Sequence, residues 1–428
     1  MTPGAKLLAL ESILSKVLSK IINSNASADN TLQTWYRKNK YVGSKDRKEI
    51  SNSLFGILRY YFILNNIINF NLKSFDFKFS FQLVLIYYIL IKNNYEYVLN
   101  SFDDGPYAPK MNEKKLKYLE AIKNISLSNT YLNSSFPNWL YEEFLYSYNK
   151  DTNSIFKSLL NEANIDIRVT NASQRDYVFN KILKYDQLAV KTPFSPLGIR
   201  LSKRLSLKHI KEFKNELIEF QDEGSQLATL LSGVKEGEVI LDLCAGAGGK
   251  SLLLAALANN VKVIATDFDS NRLNKIKLRH SWNKQKNNIE IYDNYHNINL
   301  YADRVICDVP CSGSGSWRRR PEEKIRISNN NFSDLLLVQQ NILKKAAKFL
   351  KVGGELVYIT CSLLKKENED QVESFIKNNS KFQIVDLKYS WDNIVNSKSW
   401  VSKKKFCKLL PSIHNCDGFF IALLRKFE

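Results

Sequence analysis

The second half of the chain predicts a parallel, doubly wound α/β domain. After residue 220, strand-like apolar runs alternate with helix-length segments, which is the pattern of repeated strand–helix–strand units. A glycine-rich loop at 241–250 follows the first of these runs, where sheets of this kind bind their ligands. The first 130 residues show helical periodicity instead. We therefore expect a Rossmann-like domain preceded by a helical domain.

Residues 1–130 predict an all-helical domain. Apolar residues recur at helical spacing from Leu10 to Ile21, and similar stripes predict helices over 46–68, 79–91 and 112–125. The apolar run 79–91 is too short for a membrane span, which takes about 18 residues or more, so a buried helix is expected. An extended helical arm on the following domain is the alternative.

Residues 131–219 predict a small α+β module, and residues 220–428 the doubly wound domain. Segment 165–169 alternates apolar and polar residues like a half-buried strand, and Pro193, Pro196 and Gly198 mark a loop. In the third region the predicted strands are 238–243, 261–267, 289–293, 303–308, 355–360, 382–387 and 418–424, and the predicted helices are 251–258, 270–284 and 333–350.

Charge and cysteine content limit the class of protein. The 62 basic and 43 acidic residues give a net charge of +19, which favours a polyanionic partner such as nucleic acid, although a chain rich in Lys, Asn and Ile from an A/T-biased genome would look similar. Six scattered cysteines without a CxxC pair give neither a disulfide framework nor a zinc site. We expect a cytoplasmic, monomeric protein without a metal or a membrane segment.

The glycine loop excludes two familiar ligands by its spacing. A phosphate-binding Walker loop ending in Gly249-Lys250-Ser251 needs glycine at position 244, where the chain has Cys244. A dinucleotide fingerprint starting at Gly246 needs glycine or alanine at 251. The sequence therefore argues against a Walker-type phosphate site and against a dinucleotide site.

Acidic residues after the strands favour S-adenosylmethionine instead. Asp267 lies about 20 residues after the loop, where a carboxylate accepts hydrogen bonds from ribose hydroxyls. Asp293 follows the third strand and suits the adenine amino group, and Asp242 suits the methionine ammonium. The alternative is that these aspartates only end strands and cap helices.

Two cysteines follow predicted strands, Cys311 in the segment 308–313 and Cys361 in 360–362. A pyrimidine C5 is a poor nucleophile until a thiolate adds at C6, and a second group must then remove the C5 proton so that the thiol can leave. Asp308 is placed to hydrogen-bond the base at N3 or its exocyclic group. For either cysteine alone, a buried structural thiol is the alternative.

With these motifs, the stretch from Gln221 to the C-terminus resembles the RsmB (Sun/Fmu) family of RNA cytosine-5 methyltransferases. The chain has Gly246-Ala247 where Ala-Pro is commoner in the family, and Asp308-Val309 where Asp-Ala is commoner. The motifs that carry the resemblance are 241–250, 308–315 with Arg318-Arg319-Arg320-Pro321, and Thr360-Cys361-Ser362 with Glu367-Asn368-Glu369.

The resemblance implies roles for these residues. Cys361 would be the nucleophile and Cys311 would assist release of the covalent adduct, with Asp308 at the base. The family's layout implies a NusB-like helical domain, a small RNA-recognition module and small-subunit (16S) ribosomal RNA as substrate. The residues expected to bind S-adenosylmethionine are Cys244, Ala245, Gly246, Ala247, Gly248, Gly249, Lys250, Asp267, Arg272, Asp293 and Asp308.

The triplet Arg318-Arg319-Arg320 is expected to contact RNA phosphates beside the target base, because guanidinium groups match phosphate oxygens. Three other functions remain open at this point. These are a catalytically silent ribosome-assembly or RNA-binding factor, C5 methylation of uracil, and C5 methylation of another RNA such as tRNA or large-subunit ribosomal RNA.

Overall fold

We analysed a computed structural model of the chain. It describes all residues except 25, 103–104, 106–107, 128–134, 206–217, 282–287 and 396–404. Contacts group the chain into two compact units. One comprises Met1–Glu162 with Trp317–Asn329, and the other Ala163–Ser316 with Asn330–Glu428. No helix among the described residues is both long and apolar enough to cross a membrane.

The first unit is helical in its described part. Apolar stripes of the helices from Pro3 to Lys123 pack into one core, and polar side chains such as Thr2, Ser27 and Asn112 cap helix N-termini in it. The three helices predicted over 46–68, 79–91 and 112–125 are confirmed, the second continuing as a π-helical turn, Tyr87–Ile91. The α-helices are Pro3–Asn23, Ala28–Lys38, Ser44–Asn71, Phe79–Ile86, Tyr95–Asn100, Glu113–Lys123, Asn138–Tyr148, Thr152–Leu160 and Glu323–Arg326.

A distant segment of the chain completes this helical unit. Trp317 packs its ring against Phe136, with ring centroids 5.5 Å apart. Arg59 Nε donates to the carbonyl of Arg318 at 3.0 Å, so main-chain and aromatic contacts both hold the segment. The NusB-like architecture and the division into three domains stay predictions.

The second unit contains a small antiparallel sheet in the order β2-β3-β1-β4. Its strands are β1 Ile165–Val169, β2 Val190–Lys191, β3 Gly198–Leu201 and β4 Ile218–Phe220. Helix Arg175–Ile182 packs on it, and helix Glu223–Leu230 follows it in the chain. The strand predicted over 165–169 is therefore confirmed.

The larger sheet of this unit has eight strands, in the order β10-β12-β9-β8-β5-β6-β7 with β11 beside β12. Strands β5 to β9 are parallel, whereas β10, β11 and β12 pair antiparallel. The strand order reverses beside β5, which is the crevice where open α/β sheets bind ligands. The strands are β5 Val239–Asp242, β6 Lys262–Thr266, β7 Ile289–Tyr292, β8 Ala302–Asp308, β9 Leu350–Thr360, β10 Phe382–Val385, β11 Cys407–Leu409 and β12 Phe419–Lys426.

The seven strands predicted after residue 220 and the mixed α/β fold are confirmed. The helix predicted over 270–284 is confirmed for Ser270–Ser281, and its last three residues lie outside the described part of the chain. The remaining helices of this unit are Gly249–Leu257, Asn329–Lys348, Glu369–Lys377, Leu387–Ile394 and Pro411–His414.

Candidate active site

The sheet brings the predicted site residues to one edge. Asp242 ends β5 and Asp308 ends the neighbouring parallel strand β8. Thr360 ends β9, which is parallel to β8, so Cys361 follows at the same edge. The carboxyl ends of parallel strands lie at the same edge of a sheet, so Asp242, Asp308 and Cys361 all lie at this edge.

The two predicted cysteines face each other. Cys311 Sγ and Cys361 Sγ lie 3.4 Å apart, and both residues are half-buried. The hydrogen bond to the Cys361 sulfur, together with burial, raises the pKa of the Cys311 thiol well above its ordinary value. Cys311 is therefore held in its protonated form beside Cys361.

The loop after Cys311 passes between two other loops at very close range. Gly315 N–H donates to the carbonyl of Cys361 at 2.9 Å, and Gly418 N–H donates to the carbonyl of Gly315 at 2.9 Å. A Cβ on Gly315 would lie 2.1 Å from the Gly418 oxygen, so only glycine fits. The sequence analysis missed Gly418, which precedes β12 and carried no local signal of this contact.

Lys250 brings a cation to the cysteines. Its Nζ donates to Asp308 Oδ2 at 2.6 Å and lies over the Phe419 ring, 5.3 Å from the centroid. Burial lowers the pKa of Lys250, but attraction to Asp308, with Cys361 contributing, outweighs it and raises the pKa overall. Lys250 therefore stays charged and places a positive charge near Asp308 and Cys361.

The glycine loop makes a close backbone turn. Gly246 and Gly248 have φ of +57° and +81°, which L side chains rarely adopt. A Cβ on Gly246 would meet the guanidinium of Arg272 at 2.4 Å, and one on Gly248 would meet Ile276 at 2.8 Å. Arg272 thus packs on the loop, with its Nη1 3.7 Å from Asp267.

Asp242 is a buried carboxylate with one oxygen that can still accept a hydrogen bond. Its side chain is almost completely buried (the residue is 1% exposed), and Ser251 Oγ donates to Oδ2 at 2.7 Å. Oδ1 has no hydrogen-bond partner among the described residues. Burial raises the pKa of Asp242 to about 7. A cationic donor at Oδ1 would stabilise the ionised form.

The other predicted cofactor aspartates lie on the neighbouring strands. Asp267 follows β6 and accepts from the Gly246 N–H at 2.7 Å and the Asp269 N–H at 2.9 Å, which joins it to the glycine loop. Asp293 follows β7 and is exposed. Cys244 lies within the loop, and burial raises the pKa of its thiol well above the ordinary value, so it is held protonated.

The arginine triplet divides into buried and exposed members. Arg318 is 2% exposed and belongs to the helical unit, whereas Arg319 and Arg320 are exposed. A buried guanidinium does not reach an RNA phosphate in solvent, so the expectation for Arg318 is corrected. Arg319 and Arg320 keep their predicted role.

A Rossmann-like sheet with a glycine loop and two facing thiols defines a methyltransferase-type fold with a two-cysteine site. Residues 228–425 match the family described as 16S rRNA methyltransferase RsmB/F. The chain is 30% identical over 295 residues to the ribosomal RNA small subunit methyltransferase B of Shewanella oneidensis, covering 68% of this chain and 67% of that protein. The chain therefore belongs to the RsmB/F family of ribosomal RNA methyltransferases.

Other similarities cover most or all of the chain. The protein of the same description from Proteus mirabilis is 25% identical over 442 residues, covering 97% of this chain and 98% of that protein. The crystal structure of PH0851 has a TM-score of 0.75 at 22% identity and covers 100% of this chain and 99% of that one. A methyltransferase homolog from Pyrococcus horikoshii has a TM-score of 0.58 at 25% identity, covering 71% of this chain and all of that one.

Proposed function

We propose that this protein is an S-adenosylmethionine-dependent RNA cytosine-C5 methyltransferase that modifies small-subunit ribosomal RNA. The observation that carries the proposal is the pair of thiols 3.4 Å apart at the ends of two parallel strands. Lys250 and Asp308 lie beside them as an ion pair. Membership of the RsmB/F family supports the ribosomal RNA substrate.

The cofactor proposal is supported by the unused oxygen of Asp242. S-adenosylmethionine carries an ammonium group, which can donate to Asp242 Oδ1 and supply the missing partner. The turns at Gly246 and Gly248 let the backbone approach a ligand closely before helix Gly249–Leu257 begins. When bound, the cofactor supplies an electrophilic methyl group on its sulfonium.

Cys361 begins the reaction by adding to the cytosine. Its thiolate forms a bond to C6, the ring loses its aromaticity, and electron density moves to C5, which then accepts the methyl group. Lys250 supplies a positive charge near the reacting sulfur. The target base must first leave its stack, which costs a few kcal/mol and requires an open cleft at the strand ends.

Asp308 and Lys250 act on the base as a pair. A carboxylate beside the pyrimidine edge accepts from the exocyclic amine of cytosine, whereas the corresponding position of uracil is a carbonyl that cannot donate. Asp308 thereby favours cytosine over uracil, and the 2.6 Å contact with Lys250 holds the Asp308 carboxylate in position.

Cys311 completes the reaction by removing the C5 proton. Loss of this proton restores the ring as the bond between C6 and Cys361 breaks. The pKa of Cys311 is raised first by the hydrogen bond with the Cys361 sulfur. Once that sulfur is bonded to carbon it is a weaker acceptor, so this contribution decreases and the pKa of Cys311 falls. Cys311 then releases its proton to solvent, and its thiolate acts as the base.

Methylation of purified small-subunit ribosomal RNA tests the proposal. The RNA would come from cells that lack the protein, and it would be offered both naked and in partly assembled subunits. After incubation with S-adenosylmethionine, bisulfite sequencing should reveal one new 5-methylcytosine. A catalytically silent factor would bind the RNA and leave every cytosine unmodified, which would refute the proposal.

A further inference from the structure

Glu367 is a fully buried carboxylate close to both cysteines. The residue is 0% exposed and lies in the loop between β9 and helix Glu369–Lys377. Burial raises its pKa, although hydrogen bonds from Ser312, Ser362 and Gln339 oppose the shift. No cation pairs with it among the described residues, and burying a carboxylate in that way is costly unless its hydrogen bonds compensate.

The contacts of Glu367 connect the two cysteine loops. Ser312, the residue after Cys311, donates its N–H to Glu367 Oε1 at 2.7 Å and its hydroxyl to Oε2 at 2.5 Å. Ser362, the residue after Cys361, donates its hydroxyl to the same Oε2. One carboxylate oxygen therefore accepts from a residue adjacent to each cysteine.

The carboxylate is itself held rigidly. Gln339 Nε2 donates to Oε1 at 3.0 Å and to the carbonyl of Pro310, the residue before Cys311, at 3.0 Å. Tyr358, in the core of β9, donates its hydroxyl to the carbonyl of Glu367 at 2.7 Å. Contacts from β9 and from helix Asn329–Lys348 thus fix the position of Glu367 independently of the thiols.

Ser314 adds a second connection between the same loops. Its hydroxyl lies 3.1 Å from Ser362 Oγ and accepts from the Leu363 N–H at 2.8 Å. The hydroxyls of Ser312, Ser314 and Ser362 form a buried network that ends on Glu367. Such networks give a single geometry when every member is satisfied.

We propose that Glu367 is a positioning residue that sets the distance between Cys311 and Cys361. It accepts hydrogen bonds from both loops and so keeps the two sulfurs within contact distance. Its consequence for catalysis rests on the roles proposed above for the two thiols. Release depends on Cys311 reaching the C5 proton of a base already bonded to Cys361, so a wider separation slows release more than addition.

The thiol separation can be measured without catalysis. In a series of glutathione redox buffers, Cys311 and Cys361 reduce one oxidised glutathione to two reduced glutathiones and form one protein disulfide. Peptide mass spectrometry of that disulfide gives the effective concentration of the two thiols. Glu367→Gln keeps the volume but loses one acceptor, and it should lower this concentration at least about tenfold.

Glu355→Gln is the matched control. Glu355 is another buried carboxylate, in the first half of β9, and it accepts from Arg304 and Arg425 rather than from the cysteine loops. The control should leave the effective thiol concentration within about twofold of the wild type. Ser362→Ala removes the hydroxyl contacts of the Cys361 loop to Glu367, Ser312 and Ser314 but keeps the carboxylate, and it serves as the second variant if Glu367→Gln does not fold.

Adduct kinetics give the second readout. With RNA and cofactor, Glu367→Gln should lengthen the lifetime of the covalent protein–RNA adduct more than it slows adduct formation. An unchanged thiol concentration in folded Glu367→Gln or Ser362→Ala, or equal slowing of both steps, would overturn the proposal. If the wild type forms no adduct at all, the proposed chemistry fails, while the glutathione equilibrium still decides the role of Glu367.

Discussion

The two ends of the large sheet differ in how completely their buried charges are paired. At the amino end, Arg304 is 1% exposed and donates to Glu238 through Nε and Nη2, both at 2.9 Å, and to Glu355 at 2.6 Å. Burial raises the pKa of Glu355, but Arg425 and Arg304 outweigh it and lower the pKa overall. Every charge in this cluster has a fixed opposite charge beside it.

At the carboxyl end the charges are incompletely paired. Asp242 has an oxygen without a partner in the described part of the chain, and its pKa is raised to about 7. Burial also raises the pKa of Glu367, and the hydrogen bonds that it accepts from Ser312, Ser362 and Gln339 only partly oppose the shift. The comparison indicates that the amino end is built for stability, whereas the carboxyl end keeps capacity for a ligand and for proton transfer.

Removal of the proposed nucleophile, at the carboxyl end of the sheet, should have the largest effect on activity. Cys361→Ala removes the only group proposed to add to C6, so methyl transfer should fall by at least about 10⁴-fold. Transfer of a labelled methyl group from S-adenosylmethionine to RNA measures it. The free energy of unfolding should change little, since Cys361 is half-buried. Turnover above one per cent would contradict the assignment.

Arg304→Met should have the largest effect on stability. It leaves Glu238 and Glu355 without their shared cation, and breaking such a buried pair costs about 3–5 kcal/mol. Denaturant unfolding measures the loss. Cofactor affinity, measured by calorimetry on the folded fraction, should stay within about twofold, because the cluster lies at the opposite end of the strands. A large drop in cofactor affinity would contradict the view that the two ends of the sheet act independently.

Asp242→Asn should weaken cofactor binding and stabilise the ligand-free protein. An amide is a weaker partner for an ammonium group, so the dissociation constant of S-adenosylmethionine should rise about 10- to 100-fold, as expected for a hydrogen bond to a charged group. Without ligand, the variant should be more stable than the wild type by at least about 1 kcal/mol at pH 8, because it buries no charge.

The pH dependence gives the control for this variant. The folded pKa of Asp242, about 7, lies above the ordinary aspartate pKa of 3.8, so its contribution to stability is fully present below pH 3.8 and is lost as pH rises through 7. The advantage of Asp242→Asn should therefore shrink below pH 7. An advantage independent of pH would show that ionisation of Asp242 is not its source.

The smallest effect is expected at the exposed rim of the amino end. Lys351 and Asp303 form an ion pair at 2.6 Å, with both side chains substantially exposed. Lys351→Ala should change the free energy of unfolding by no more than about 1 kcal/mol, and less in high salt. If Lys351→Ala lost as much stability as Arg304→Met, burial would not explain why the buried ion pairs of Arg304 contribute more than this exposed pair.

Local patterns in the sequence were sufficient for the sheet and for the residues at its carboxyl end. The alternation of strands and helices is sufficient to place Asp242, Asp308 and Cys361 at one edge of the sheet. Strand β9 was less predictable. It starts at Leu350 rather than 355, and Gly353, with φ of +80°, is accommodated within the strand.

Contacts between distant residues account for what the sequence did not predict. Three consecutive arginines suggested a phosphate-binding surface, but Arg318 is buried in the helical unit beside Arg59, far away in the chain. Glu367 stood in a recognised motif, yet its connection to Ser312 requires two loops to meet. Only the tertiary structure brings these partners together.

The division of labour between the two thiols is the central claim, and Cys311→Ala tests it most directly. With small-subunit ribosomal RNA and S-adenosylmethionine, this variant should accumulate a protein–RNA adduct that survives denaturation, because Cys361 still adds and release fails. The double variant lacking both thiols should give none. Normal turnover by Cys311→Ala without an accumulated adduct would contradict the account.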